Sequence, residues 1–263
     1  MNNQSEINKK AWNQNAYKAW VTCIGEPSIV AKDMINNPQT YLRRYLEFLG
    51  DVREKKIVNL LGSSGKKAIP LSILGAEVTV VDISDDNKRY ATEVANSAKV
   101  DLNYIVSDFI ELDIENMRQS FDIAFLEGGI LHYFSDLNVF AGKIYELLKF
   151  GGKLVLNDFH PIRKIFKCRN IFDESADALE ITGDYFQSEL EVGDVAYKNI
   201  LNSIGEEDTL DCLLRYYTMG EIITSFAAVG FVIEKLVEGP RFDSHKNIPG
   251  DFTLVASKLK VDR

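Results

Sequence analysis

Residues 56–82 read KIVNLLGSSGKKAIPLSILGAEVTVVD. An apolar run, Lys56–Leu61, is followed by a short Gly/Ser stretch. Next comes a segment, Lys66–Leu74, stopped by Gly75, and then a second apolar run, Glu77–Asp82, ending in an acid. Short apolar runs bounded by turn residues predict strands buried on both faces. The segment between them predicts a helix closed by a glycine. Strand, helix, strand is the unit of a parallel sheet with right-handed crossovers. The alternation continues, with strands expected at Asn103–Val106, Phe121–Leu126 and Lys153–Asn157. Helices are expected over Arg89–Ala98, with Ser84 as its cap, and over Leu137–Leu148 before Gly151 and Gly152. The expected class is α/β, a doubly wound, mostly parallel sheet.

The end of the chain changes pattern. Thr218 and Glu221 have the spacing of a capping box and open a helix over Glu221–Val229, stopped by Gly230. Two strand-like runs follow, Phe231–Val237 and Phe252–Ser257, with no helical pattern between them. Strands joined without a helix pair antiparallel, so the sheet should finish in an antiparallel C-terminal edge. Residues 161–217 fit neither pattern and are expected to form a small inserted cap over the strand ends. Within them Asp173–Asp194 holds eight carboxylates and no Lys or Arg. Gly193 and Asp194 are expected to turn a hairpin between Ser188–Val192 and Val195–Lys198. The expected organisation is therefore a helical segment over 1–50, a core from 51–160 and 218–263, and the 161–217 insertion.

With 263 residues the chain can bury a full core without staples, and its formal charge is -9. That balance argues against a nucleic-acid partner, which needs a basic face. Cys23, Cys168 and Cys212 are odd in number and far apart, which argues against a disulfide framework. The three histidines, His132, His160 and His245, share no ligand spacing, so no metal site is expected. No apolar run reaches membrane-span length and the N-terminus carries no signal-peptide core. A cytoplasmic protein without a membrane partner, monomeric or homodimeric, is expected.

In an open α/β sheet the ligand lies beyond the carboxyl ends of the strands. After the first strand, Gly62, Ser63 and Ser64 let backbone approach a ligand, although most such turns are only turns. Asp82, followed by Ile83, can accept from a ribose diol; the alternative is a helix cap, for which Ser84 is available. At the third strand end Asp108 can accept from an adenine amino group and Phe109 can lie against the base. The alternatives there are a surface acid and a core ring. Three strand ends suited to one adenosine weigh more than any one of them.

Residues 57–157 resemble the core of the class I S-adenosylmethionine-dependent methyltransferase family. The stretch Val58–Ala68 aligns without a gap to the first motif, Asp82 falls on the second, Asp108 on the third and Phe121–Phe125 on the fourth strand. Leu147–Gly152 resembles the Leu-Lys-Pro-Gly-Gly turn before the fifth strand. The resemblance implies a Rossmann-like fold, S-adenosylmethionine as cofactor, and methyl transfer to a small-molecule acceptor. The antiparallel tail distinguishes this family from nicotinamide-dependent oxidoreductases, whose GxGxxG is also absent. The first motif departs from the family: Asn59 replaces an acid that helps hold the methionine end, and Leu61 and Ser63 replace two glycines. A non-catalytic S-adenosylmethionine- or S-adenosylhomocysteine-binding protein on the same fold is the alternative. If the alignment holds, an Asp at position 59 should keep or improve affinity.

The loop after the fourth strand lies beside donor and acceptor in the family. This places Glu127 and Gly128 at the cofactor's charged end and makes His132 a candidate base. The alternatives are a turn cap for Glu127 and a core residue for His132. His160, after the fifth strand, is a second candidate base, or part of a loop turn. Trp12, Tyr17 and Trp20 lie in one helical stretch and are more often core or interface. The family's use of N-terminal helices as lids makes them a candidate lid, with the Tyr17 hydroxyl serving the methionine end.

Overall fold

The computed structural model describes residues 3–167, 180–206, 208–240 and 246–259. Five helices come first: α1 (Asn3–Trp12), α2 (Ala16–Cys23), α3 (Pro27–Asn36), α4 (Pro38–Leu42) and α5 (Leu46–Leu49). The expected alternation follows, as β1 (Lys56–Leu60), α6 (Ala68–Ile73), β2 (Glu77–Asp82), α7 (Asp85–Ala98) and β3 (Asn103–Val106). It continues as β4 (Phe121–Glu127), α8 (Leu137–Leu147) and β5 (Leu148–Phe159).

The described residues of 161–217 include two short strand pairs and a helix. The strands β6 (Phe166–Lys167) and β7 (Glu180–Ile181) pair antiparallel, as do β8 (Glu191–Asp194) and β9 (Asp211–Leu214), with α9 (Lys198–Ser203) between the latter two. The chain closes with α10 (Met219–Ala228), β10 (Val232–Gly239) and β11 (Asp251–Ser257). Among the described residues no helix is long and apolar enough to cross a membrane.

The main sheet runs β10-β11-β5-β4-β1-β2-β3. Strands β1 to β5 are parallel to one another, and β11 lies antiparallel to both β5 and β10. The expected mostly parallel sheet with an antiparallel C-terminal edge is therefore present. The strand order reverses at β1, which pairs with β2 on one side and β4 on the other. Connections leave the sheet in opposite directions there, opening a crevice at the carboxyl ends.

Both faces are covered, which is why β1 and β2 read as continuous apolar runs. On one face Val58, Leu60 and Leu126 pack with Phe140 and Ile144 of α8 and Phe226 of α10. On the other, Ile57, Val78 and Phe125 pack with Leu71 of α6, Ala91 of α7 and Tyr45 and Phe48 of the N-terminal segment. Thr218 and Glu221 form the expected capping box, each side chain bonding the other's backbone N–H.

Two local expectations are corrected. Gly193 is not a turn residue: it lies within β8 opposite Cys212, and the hairpin partner is β9, not Val195–Lys198. A Cβ at Gly193 would stand 2.5 Å from the Leu214 side chain, so the glycine makes room for packing. The Trp12–Trp20 stretch is also not one helix. It breaks between α1 and α2, where Asn15 takes a left-handed φ of 56°.

Candidate functional site

A cavity of about 840 Å³ opens at the carboxyl ends of β1, β2, β3, β4 and β5. Its volume lies toward the upper end of the roughly 300–1,000 Å³ typical of small-molecule sites. Its walls come from the strand-end loops, from Trp12 and Trp20, and from the 161–217 segment through Arg163, Lys164, Asp194 and Tyr216.

The loop after β1 keeps a glycine-like backbone without the glycines. Leu61 and Ser63 take φ of 51° and 47°, and Gly65 takes 74°. The first two are the positions aligned above with the family's glycines. The left-handed state is held by neighbours: Leu61 N–H donates to Val81 O (2.7 Å), and the Tyr104 hydroxyl donates to Ser63 O (2.8 Å). Gly62 is needed for room, because a Cβ there would meet Asn59 Oδ1 at 2.5 Å and Val80 at 2.9 Å. Gly62, Ser63 and Ser64 all line the cavity.

Asp82 ends β2 and is buried. Its Oδ1 accepts from Ser84 N–H (2.9 Å) and Asn87 Nδ2 (3.0 Å), and its Oδ2 accepts from Ser63 N–H (3.0 Å). Asp82 itself lines the cavity. Burial raises the Asp82 pKa, while hydrogen bonds from Asn87, Ser84, Ser63 and Ile83 pull the other way. Ser84 caps α7 by accepting from Asn87 N–H, so Asp82 is not the cap.

Ile83 also lines the cavity. Asp108 is buried at the end of β3, with Oδ1 accepting from Ile110 N–H (2.9 Å). Phe109 lines the cavity but is also core, edge-on to Phe140 at 5.5 Å between ring centres.

Asn59 is placed differently from the expectation. It is buried outside the cavity lining, with Nδ2 donating to Phe125 O (3.1 Å) and Oδ1 without a partner. An Asp there would turn an acceptor toward a carbonyl oxygen in a buried place, so tolerance of Asn59→Asp is no longer expected. Glu127 does line the cavity, and its Oε2 accepts from the Tyr45 hydroxyl (3.3 Å). Burial, followed by the Glu127 charge, pushes the Tyr45 phenol well up. Gly128 and Gly129 have φ of 87° and 90°, and a Cβ at Gly129 would strike Phe159 at 2.8 Å.

His132 follows on a short 3₁₀ turn, Leu131–Tyr133, held by Asp158, whose Oδ2 accepts from Ile130 and Leu131 N–H (3.0 and 2.8 Å). The imidazole lies among Tyr133, Phe159 and Tyr216, with ring centres 4.3, 6.2 and 6.1 Å away. Among the described residues neither ring nitrogen has a hydrogen bond. Burial lowers its pKa; nearby Asp158 partly offsets this and Arg163 adds to it. His160 also lines the cavity, but both its nitrogens are engaged: Nε2 with Glu238 (2.6 Å) and Nδ1 with Ile162 N–H (3.1 Å). His245 and Cys168 lie outside the described residues.

Tyr17 lies outside the cavity lining. The break at Asn15 turns it toward α7, where its hydroxyl donates to Glu93 (2.5 Å) and Arg89 stacks on its ring. Trp12 and Trp20 do line the cavity, and both pack edge-on against Tyr197. Of the carboxylates in Asp173–Asp194, Glu191 pairs with Lys164 and Asp194 with Lys198. Their cations come from outside the segment, which local charge counting does not reveal. Sequence reasoning missed Asn87 and the Tyr216 ring, and it gave Asp158 no role. Asp158 had a signal, as the residue that follows the expected fifth strand at the crevice.

A family model described as a methyltransferase domain matches residues 61–156. None of the curated protein sequences compared matches the chain. Among solved structures, a Listeria monocytogenes protein described as an S-adenosylmethionine-dependent methyltransferase has TM-score 0.63 at 20% identity, over 84% of this chain and 98% of its own. An S-adenosylmethionine-dependent methyltransferase from Mesorhizobium loti has TM-score 0.61 at 19% identity, over 82% and 97%. The magnesium protoporphyrin IX methyltransferase of Synechocystis PCC 6803, with bound S-adenosylhomocysteine, has TM-score 0.58 at 15% identity, over 97% and 100%. At these identities the likeness is one of fold. The domain match, the strand order and the strand-end loops agree: residues 61–156 carry a methyltransferase domain on the fold shared by S-adenosylmethionine-dependent methyltransferases.

Proposed function

We propose that the protein methylates a small, flat acceptor that gives up a proton to His132, with S-adenosylmethionine as donor. The observation that carries this is His132 itself. It is an imidazole walled by aromatic rings, kept neutral by burial, and free of hydrogen bonds to described residues. The donor's fit rests on the cavity volume and on two carboxylates in its wall, Asp82 and, one strand away, Asp108.

In this reading Asp82 takes a ribose hydroxyl and Asp108 the adenine amino group, with Phe109 and Ile83 against the base. Gly62, Ser63, Ser64 and Gly128 let backbone close on the ligand. Glu127 faces the ammonium end in place of Asn59, and Tyr17 has no direct part. Bound there, the donor supplies an already activated methyl group, so orientation of the acceptor provides most of the catalysis. His132 removes the acceptor proton as the acceptor becomes nucleophilic, which a neutral imidazole can do near pH 7. His160, engaged at both nitrogens, supports the loop instead. Residues 1–50 and 161–217 form a lid and a cap that exclude water. The formal charge of -9 argues against a nucleic-acid acceptor and fits a cytoplasmic enzyme.

The test is release of S-adenosylhomocysteine from S-adenosylmethionine across a panel of small phenols, thiols and aromatic amines. His132→Gln should cut kcat while leaving S-adenosylhomocysteine affinity unchanged. Tight cofactor binding with no turnover on any acceptor would favour a non-catalytic binding protein. That second reading draws on the strained Leu61 and Ser63 and the neutral Asn59 in the first loop.

A further inference from the structure

One of the hydrogen bonds to Asp82 comes from Asn87, a fully buried side chain five residues further along. The Asn87 amide is itself fixed from outside the core. Its Oδ1 accepts from the Trp20 indole N–H at 2.7 Å, and its Nδ2 donates to Asp82 Oδ1 at 3.0 Å. Trp20 belongs to α2 and lines the cavity. Only one amide orientation works. An indole is a donor only and a carboxylate accepts, so a flipped amide would set donor against donor and oxygen against oxygen.

The same terminal segment holds the next residues too. Ser84 Oγ donates to Trp12 O (2.6 Å), and Asp85 N–H donates to Asn13 Oδ1 (2.8 Å).

We propose that Trp20, acting through Asn87, is a positioning residue for the ribose-binding carboxylate of Asp82, so that α2 must be seated for the donor to bind. This rests on the reading that Asp82 receives a ribose hydroxyl. With α2 displaced, Asn87 Oδ1 loses its indole donor, and the amide no longer fixes the Asp82 carboxylate. By linkage, donor binding seats α2 by the same factor.

The experiment is calorimetric titration with S-adenosylhomocysteine and with its 2′,3′-dideoxyribose analogue, on wild type, Trp20→Phe, Asn87→Leu and the double variant. A charge-assisted hydrogen bond corresponds to about tenfold or more in affinity. Trp20→Phe and Asn87→Leu should each weaken S-adenosylhomocysteine about tenfold, and the double variant should be no weaker than Asn87→Leu alone. The dideoxy analogue should change by less than about twofold. Equal losses on both ligands, or additive losses in the double variant, would overturn the proposal, since packing alone gives those. If Trp20→Phe does not fold, a benzothienyl side chain at position 20 in a Trp12→Phe background deletes only the N–H. That variant should show the same ligand selectivity against its Trp12→Phe parent, and its absence would equally overturn the proposal. Asp82→Ala separates the two layers: unchanged S-adenosylhomocysteine affinity there removes the ribose reading itself.

Discussion

Replacing Ser63 and Leu61 by glycine should move stability in opposite directions. Both residues hold a left-handed backbone, with φ of 47° and 51°. That costs a residue with a Cβ roughly 1–2 kcal/mol, and glycine removes the cost. Glycine also widens the unfolded ensemble, which takes back about 0.4–1 kcal/mol. The Ser63 side chain makes no hydrogen bond to described residues, so Ser63→Gly should gain about 0.5–1 kcal/mol. Leu61 packs against the large core cluster around Phe140. Removing such a side chain costs about 1.5–3 kcal/mol, which outweighs the relief of strain. Leu61→Gly should therefore lose about 1–2 kcal/mol. For a chain of this size 1 kcal/mol shifts Tm by roughly 2–4 °C, so scanning calorimetry without ligand resolves the two signs. A lower Tm for Ser63→Gly would show that position 63 is not left-handed, and the register of the first motif would fall with it.

Three further outcomes are expected. Asp82→Ala should weaken S-adenosylhomocysteine binding by about 1.5–3 kcal/mol, through loss of an ionised acceptor, and should also lower Tm because Ser63, Ser84 and Asn87 lose theirs; calorimetric titration and melting check both. Asn59→Asp should destabilise by about 1–3 kcal/mol, since Phe125 O loses a donor in a buried place, and a chemical-denaturation midpoint at or above wild type would contradict this. The turnover profile of wild type should stay flat from neutral pH to below 6.5 and fall only at lower pH, because burial lowers the His132 pKa from 6.5. The sign for stability is the same: the unfolded chain binds that proton more readily, so the His132 contribution is lost as pH falls from about 6.5 toward the lowered value. An inflection above pH 6.5 that disappears in His132→Gln would show the imidazole is not desolvated.

The sheet and its strand ends were legible because their causes are local. Strands covered on both faces are continuous apolar runs, and Thr218 with Glu221 carries its capping geometry in four residues. Asp82 and Asp108 could be placed at the cavity because strand ends face the crevice whatever the rest of the chain does. What escaped depends on long-range contacts. No local pattern shows that Trp20 meets Asn87, 67 residues away. None shows that Lys164 pairs with Glu191, or that Glu238 engages His160. Gly193 looked like a turn because the sequence gives no sign that Leu214 needs its space. Tyr17 failed for a smaller reason: three residues at Asn13–Asn15 break the helix and turn the ring outward.

The central claim is most directly tested by a crystal structure of the protein with S-adenosylhomocysteine bound. The account predicts the adenosine beyond the carboxyl ends of β2 and β3, with a ribose hydroxyl on Asp82 Oδ2, the adenine amino group on Asp108, and the sulfur facing His132. Adenosine lying elsewhere in the cavity, with Asp82 bonded only to Ser63, Ser84 and Asn87, would contradict it.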